Sequence, residues 1–464
     1  LKLVGNFLSL ASAEGLSKVA TFAAFAFIAR RTGAVGLGYV EFSYAIIMIG
    51  ALVIDQGFDA LGTREIAKAP STVPQLVSQI VFIRFLLAIL AVVVILVVAW
   101  FLPRPAIQTQ LLVILSLSLV GMPLILKWVF QGLEKMPIAA GIQVFRQFGF
   151  AIIVFLGLRN IESIWVIGLA EVGGVVAGVA FGWWMYVRVL GYPFRLKLGA
   201  SKKLLLDGLV IGLSQMLWSI KMFGATIVFG LMATSEEMGY FGGAMRILIS
   251  LHMFVFLYYI NILPSMSRTW QQSPEAFHEL VNRSMRVVGW LAIGGGLLWV
   301  IVADVVIHIC YGHSFFPAVA ILRILAGVGV MAALSGHFRF GLIGAGFQKA
   351  EMWTQAVGAV VALTMLPVGY HFSGIQGAAT SLVFAEATVW LTSWIAARRL
   401  LHVRGHTVSL LKPGLAVAVI STLLVVFGFT APIITVLIAA VCVGCIAYVS
   451  EVSIRRWVKS IISR

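Results

Sequence analysis

The chain has 464 residues, of which 61% are hydrophobic and 11% charged, with a formal net charge of +16 and a mean hydropathy of +1.05. No soluble globular chain of this length carries that composition without exposing large apolar patches, so a soluble protein is excluded. Its apolar runs suit helices of about 20 residues crossing a hydrocarbon core of roughly 30 Å, and they lack the alternation of barrel strands. The fold class is an all-α polytopic membrane protein.

In chain order, spans are expected at 6–29, 38–60, 76–101, 106–131, 137–158, 163–187, 204–231, 239–264, 285–308, 316–338, 351–369, 374–397, 413–430 and 432–450. That is about fourteen helices, with both termini on one side. The first segment outlasts a signal peptide and ends in Arg30-Arg31 rather than a cleavage site, so it is expected to be retained. No connection is long enough for an extramembrane domain, and the work must be done inside the membrane.

The opening stretch, Asn6 to Lys68, sets the pattern. An apolar span leads to a turn from Arg30 to Gly38-Tyr39, a second span, then Asp55-Gln56-Gly57 and Thr63-Arg64-Glu65-Ile66-Ala67-Lys68. Gly239-Tyr240 echoes Gly38-Tyr39. The most polar connection holds Gly191-Tyr192-Pro193-Phe194-Arg195 and Ser201-Lys202-Lys203. Together these divide the chain into an N-lobe at 1–190, a cytoplasmic linker at 191–203, a C-lobe at 204–400, and two last helices with a basic tail at 401–464. Two such lobes of six helices would be related by a pseudo-two-fold axis along the membrane normal, with the binding site on the seam.

The connections on one side hold nearly all the loop Lys and Arg residues, among them Arg64, Lys68, Lys135, Arg188, Lys202, Lys203, Arg398 and Arg399; the other holds Arg30, Arg31, Arg104 and Arg159. The rich side is cytoplasmic, which puts both termini there. The net charge is therefore topology signal and attraction to anionic lipid, and nucleic acid is not an expected partner.

Lys18, Arg84, Lys127, Arg146, Lys221, Arg246, Arg323 and Arg339 fall inside the spans. An unpaired charge at mid-membrane costs at least about 2.5 kcal/mol on insertion scales, so several together point to a water-filled or substrate-filled interior. Lys18 and Lys221 each lie roughly 15 Å from the outer end of their span. Lys18 either pairs with Glu14 one turn back or meets a ligand. Lys221 has no acidic residue within a turn, so its partner comes from another helix or a ligand.

Arg246 and Arg323 sit about 10 to 12 Å in from the outer side, and Arg146 shares a polar helical face with Gln143 and Gln147. These three arginines line a cavity or pair with Glu171, Glu386 or Asp304. Arg84 matches Asp55 in depth, which favours an Asp-Arg tie, and Lys127 and Arg339 are placed to snorkel. Asp55 and Asp59, one turn apart, are candidates for a coupling proton, because burial beside a like charge raises a carboxylate pKa. Arg30 and Arg31 either anchor a helix end or capture a phosphate.

Other chemistry is sparse. There is no P-loop, no G-x-G-x-x-G after a strand and no H-E-x-x-H. His308 and His313 have no third ligand nearby, so neither zinc nor any other metal or cofactor is expected. Cys442 and Cys445 read as packing residues, and Gly174, Gly178 and Gly182 as a small-residue packing ladder. Gly294-Gly295-Gly296 and Pro123, Pro264 and Pro367 permit bending.

The chain resembles the polysaccharide-transport branch of the multidrug/oligosaccharidyl-lipid/polysaccharide (MOP) flippase superfamily, the Wzx-like O-antigen and exopolysaccharide flippases. The resemblance rests on Gly33 to Tyr39 with Asp55-Gln56-Gly57 and Thr63 to Ala67, on Phe130-Gln131-Gly132-Leu133-Glu134-Lys135-Met136, and on Leu263-Pro264-Ser265-Met266-Ser267. It also rests on Tyr311 to Val319 with Ile321-Leu322-Arg323-Ile324-Leu325. It implies a MATE-like fold around a basic cavity in the bacterial cytoplasmic membrane, and translocation of an undecaprenyl-diphosphate-linked oligosaccharide to the periplasmic leaflet by alternating access. Lys18, Arg30 or Arg31, Lys221, Arg246 and Arg323 would take the family's cationic roles. Implied partners are membrane lipids, a proton or cation counter-ion and the polysaccharide polymerase machinery.

A lipid II flippase and a MATE-type antiporter are the alternatives within the superfamily. A membrane glycosyltransferase or polymerase would show a sizeable hydrophilic loop with acidic catalytic residues, which is missing here, so the chain is not expected to be an enzyme.

Overall fold

The structure, a computed structural model, describes residues 2–191, 204, 216, 219–403, 408–426 and 432–450. Most of the expected linker at 191–203, the opening of the span at 204–231, the Glu14 side chain and the basic tail beyond residue 450 lie outside the described residues. Every regular element among the described residues is helical, and nine helices among them are long and apolar enough to cross a membrane. The all-α polytopic class is therefore correct.

Helix α1, Lys2–Asp55, reverses at Gly33, whose φ of 68° and ψ of −172° belong to glycine. The rings of Phe25 and Tyr44 lie 5.4 Å apart, where a straight helix would hold them roughly 28 Å apart. The halves 2–32 and 34–55 are thus antiparallel. The longer turn expected from Arg30 to Tyr39 shrinks to one residue, because a single glycine makes the whole reversal.

The second half ends at Asp55, since Gln56 (φ 42°) and Gly57 (φ 75°) are both left-handed. The span expected at 38–60 stops there. Helix α2, Phe58–Lys68, buries Phe58, Leu61, Gly62 and Ile66 and leaves Arg64 and Lys68 exposed.

Helix α3, Val73–Phe101, shows what the solvent must be. Ala88, Ala91, Ile95 and Ala99 are buried, while Leu86, Leu90, Val93 and Val97, at helical spacing, are 51 to 55% exposed. In water that stripe would drive aggregation; against lipid chains it is the outer face.

Helix α4, Ala106–Gly121, and helix α5, Lys127–Gly132, divide what was expected as one span at 106–131. A 3₁₀ turn at Met122–Leu124 carries Pro123, which lacks the N–H an unbroken helix would need. Helices α6, Met136–Gly157, and α7, Trp165–Leu190, then pack closely. A Cβ on Gly174 would lie 2.6 Å from the Arg146 carbonyl oxygen, and one on Gly178 3.1 Å from Arg146 Cβ.

A π turn at Ile220–Gly224 leads into helix α8, Ala225–Met232. Helices α9, Ser235–Gln272, and α10, Pro274–Tyr311, have 38 residues each, or roughly 57 Å, well beyond a bilayer core. The spans expected at 239–264 and 285–308 are only their apolar middles. Ser273 caps α10 by accepting from the Ala276 N–H, with Pro274 behind it. The extra turns are held by burial: Met266, Phe277, Val281 and Met285 share an apolar cluster with Phe338, Leu342 and Leu401.

Helix α11 is Ala318–Gly344. Helix α12, Gln348–Leu400, folds back at Ser373 and Gly374, so that Ser381 Oγ donates to the Met365 carbonyl at 2.8 Å across the hairpin. Helices α13, Val408–Val426, and α14, Pro432–Ser450, complete the described chain. The chain divides into two compact units, Leu1–Gly242 and Gly243–Arg464. Phe58, Ile80, Trp128, Phe130 and Tyr186 anchor a core in the first; Tyr259, Phe277, Met285 and Phe338 do so in the second.

Candidate functional site

In the first unit the glycine ladder of α7 lays α6 alongside it and brings Arg146 to Glu171. Arg146 Nη2 lies 2.7 Å from Glu171 Oε1, and Tyr44, on the second half of α1, donates to Glu171 Oε2 at 2.9 Å. One helical position on, Gln147 Oε1 accepts from the Thr21 hydroxyl at 2.7 Å. Glu171 is 7% exposed, and the Arg146 side chain 20%. Arg146 Nε is buried without a hydrogen-bond partner among the described residues. This is one of the pairings left open by the sequence.

A second cluster forms where the backbone breaks. Arg84 Nη1 lies 2.8 Å from Asp59 Oδ1 and its Nη2 3.5 Å from Asp55 Oδ1. The sequence pointed to Asp55; the reversal at Gln56-Gly57 swings Asp59 round to make the shorter contact. Asp55 Oδ1 also accepts from the Asp59 N–H at 3.2 Å.

The other candidates fall in both units. Lys18, Arg30 and Arg31 are exposed, and Arg31 stacks on Phe27 at 5.1 Å. Lys221 is 5% exposed and sits in the π turn, a distortion frequent at functional sites. In the second unit Arg246 is half-buried, while Arg323 is exposed and donates through Nε to the Val300 carbonyl at 3.1 Å. Glu386 is buried. Arg30, Lys221, Arg246 and Glu386 all have partners within the protein. Arg339 does not snorkel: it pairs with Glu351 at 3.0 Å, which also accepts from Gln355 at 3.2 Å.

One cation the sequence gave no reason to single out is Arg104. From the connection between α3 and α4 it covers the Phe42 ring at 4.6 Å and donates to the Gly230 carbonyl in the last turn of α8, where a helix end favours positive charge. In the same unit the two Gly-Tyr pairs meet. A Cβ on Gly38 would lie 1.8 Å from the Ser235 carbonyl oxygen, and one on Gly239 1.9 Å from that of Ala34. Gly230 likewise admits Phe42, and Gly242 admits Glu41.

A lipid-facing helical bundle with charged side chains paired below its surface defines a multi-pass membrane protein. The family model described as "Polysaccharide biosynthesis protein" matches residues 3–270, and the chain belongs to that family. It is 22% identical over 402 residues to the Escherichia coli (strain K12) protein named "Putative O-antigen transporter", covering 84% of this chain and 95% of that one.

Among solved structures, the lipid II flippase MurJ in an inward closed conformation matches with a TM-score of 0.77 at 11% identity, over 95% of this chain and 98% of that one. An inward-facing multidrug-resistance MATE transporter of the MOP superfamily matches with a TM-score of 0.67 at 14% identity, over 83% and 94%. The resemblance seen in the sequence therefore holds: this is a multi-pass membrane protein of the polysaccharide biosynthesis protein family with a MurJ- and MATE-like fold.

Proposed function

We propose that the protein is a flippase carrying an undecaprenyl-diphosphate-linked oligosaccharide from the cytoplasmic to the periplasmic leaflet of the bacterial inner membrane by alternating access, across about fourteen helices. Family membership carries the reading, since the family is described by polysaccharide biosynthesis. The charges supply its physical logic. A diphosphate bearing several sugars cannot cross hydrocarbon unaided, and fixed cations compensate it in a low-dielectric interior while the lipid tail stays in the bilayer.

Arg146, buried Lys221, Arg246 and Arg323 are the proposed headgroup cations, with Lys18 and Arg30 or Arg31 towards the outer side. Glu171 holds Arg146 in place until the substrate competes for it. The lobes at 1–190 and 204–400 are the proposed moving bodies, and both termini are cytoplasmic.

The MurJ match makes a lipid II flippase the second reading, although at 11% identity that likeness speaks for the fold alone. Complementation separates the two. The gene should restore glycan export in a strain lacking its polysaccharide flippase and should not rescue one lacking its lipid II flippase. The reverse pattern would overturn the proposed substrate.

A further inference from the structure

Polar groups that the transport reading leaves unused gather in the second unit around His337. It is 1% exposed, and both ring nitrogens are engaged. Nδ1 lies 2.7 Å from Tyr259 Oη, and Nε2 2.8 Å from Ser284 Oγ. Tyr259 Oη in turn meets the Ala333 carbonyl, and Ser284 Oγ meets Tyr258 Oη. The network ties α9, α10 and α11 together. Gly336 makes it possible, because a Cβ there would lie 2.1 Å from Tyr259 Cε2.

The direction of these bonds follows from one group that can only accept. The Ala333 carbonyl takes the Tyr259 hydroxyl proton, so Tyr259 Oη accepts from His337 Nδ1–H. Neutral His337 then offers Nε2 as an acceptor to the Ser284 hydroxyl, and Ser284 accepts from Tyr258. The result is a directed chain from a partly exposed phenol through a serine to a buried imidazole.

We propose that His337 is a proton-binding site loaded through Tyr258 and Ser284. Ser284 gives its hydroxyl proton to Nε2, Tyr258 gives its own to Ser284, and a proton from water restores Tyr258. One proton enters, one N–H bond forms and nothing is oxidised. The imidazolium donates from both nitrogens, and the Ser284 hydroxyl turns to donate to Tyr258, so loading reverses the bonds between the three helices.

The charges near the network are mainly arginines. Arg339, on the same helix, is matched by Glu351 of α12 at 3.0 Å. From α9 the phenols of Tyr258 and Tyr259 meet the network, and on α10 Arg283 and Arg286, the latter with a buried Nε, flank Ser284 in sequence. That this proton drives transport rests on the flippase reading; the protonation does not.

Nitrogen-15 NMR of the histidine-labelled full chain in lipid nanodiscs tests it, on wild type, His337→Gln and Tyr258→Phe, titrated between about pH 5 and 8. One imidazole signal, lost in His337→Gln, should shift from the neutral Nδ1–H form to imidazolium within that range, and Tyr258→Phe should slow its proton exchange. A ring that stays neutral throughout overturns the proposal, and so does an exchange rate that Tyr258→Phe leaves unchanged. Tyr258→Phe also displaces the same signal, which gives the assignment if His337→Gln does not fold. Failure here would leave the complementation result untouched.

Discussion

Gly38 and Gly239 meet backbone to backbone: a single added carbon on either would fall within 2 Å of a carbonyl oxygen across the crossing, that of Ser235 or that of Ala34. The two Gly-Tyr sequences are thus partners in one contact. Gly239→Ala must push the backbones apart and should cost about 1 to 3 kcal/mol. Gly15→Ala, where nothing lies within 4 Å, should be neutral or slightly stabilising. Thermal unfolding of the detergent-solubilised variants checks both.

Glu171 carries two donors, so removing it strands a partly buried guanidinium. Glu171→Ala should destabilise by about 3 to 5 kcal/mol, and Arg146→Ala/Glu171→Ala should recover most of that loss. Tyr44→Phe removes one hydrogen bond to a charged group, worth about 1.5 to 3 kcal/mol. Equal stability of the double variant and Glu171→Ala would show that the pair does not act as a unit.

At Arg84 the two carboxylates are unequal, with Asp59 at 2.8 Å and Asp55 at 3.5 Å. Asp59→Asn should therefore lower the melting temperature more than Asp55→Asn. The opposite order would put the main tie on Asp55.

The π turn at Ile220–Gly224 contains one residue more than an α-helical turn would need. Deleting Gly224 should restore a regular helix and rotate Lys221 by about 100° relative to the residues that follow. Membrane insertion should persist while export falls, as read by cell-surface glycan. Undiminished export would remove the orientation of Lys221 from the account.

The class of the fold was legible because hydrophobicity is a property of whole segments. Local geometry was not. Gly33 reverses a helix within one residue, and a hydropathy profile blurs so short a turn, whereas the reversal at Ser373 and Gly374 falls at the break expected between the spans at 351–369 and 374–397. Helices α9 and α10 were read short because Phe277, Val281 and Met285 stabilise their far turns by packing on one face only. The expected Asp55–Arg84 tie is present, and the addition of Asp59 to it depended on the left-handed pair at Gln56 and Gly57. His337 is a single histidine in an apolar helix, and only its neighbours from α9 and α10 make it stand out.

Transport itself is measured most directly in vesicles that contain the purified protein and an undecaprenyl-diphosphate-linked oligosaccharide, with outer-leaflet sugar removed by an impermeant glycosidase. The account predicts that the inner-leaflet pool becomes cleavable over time with wild type and much more slowly with Lys221→Ala or Arg246→Ala. A pool that stays protected with wild type, as in protein-free vesicles, would contradict it.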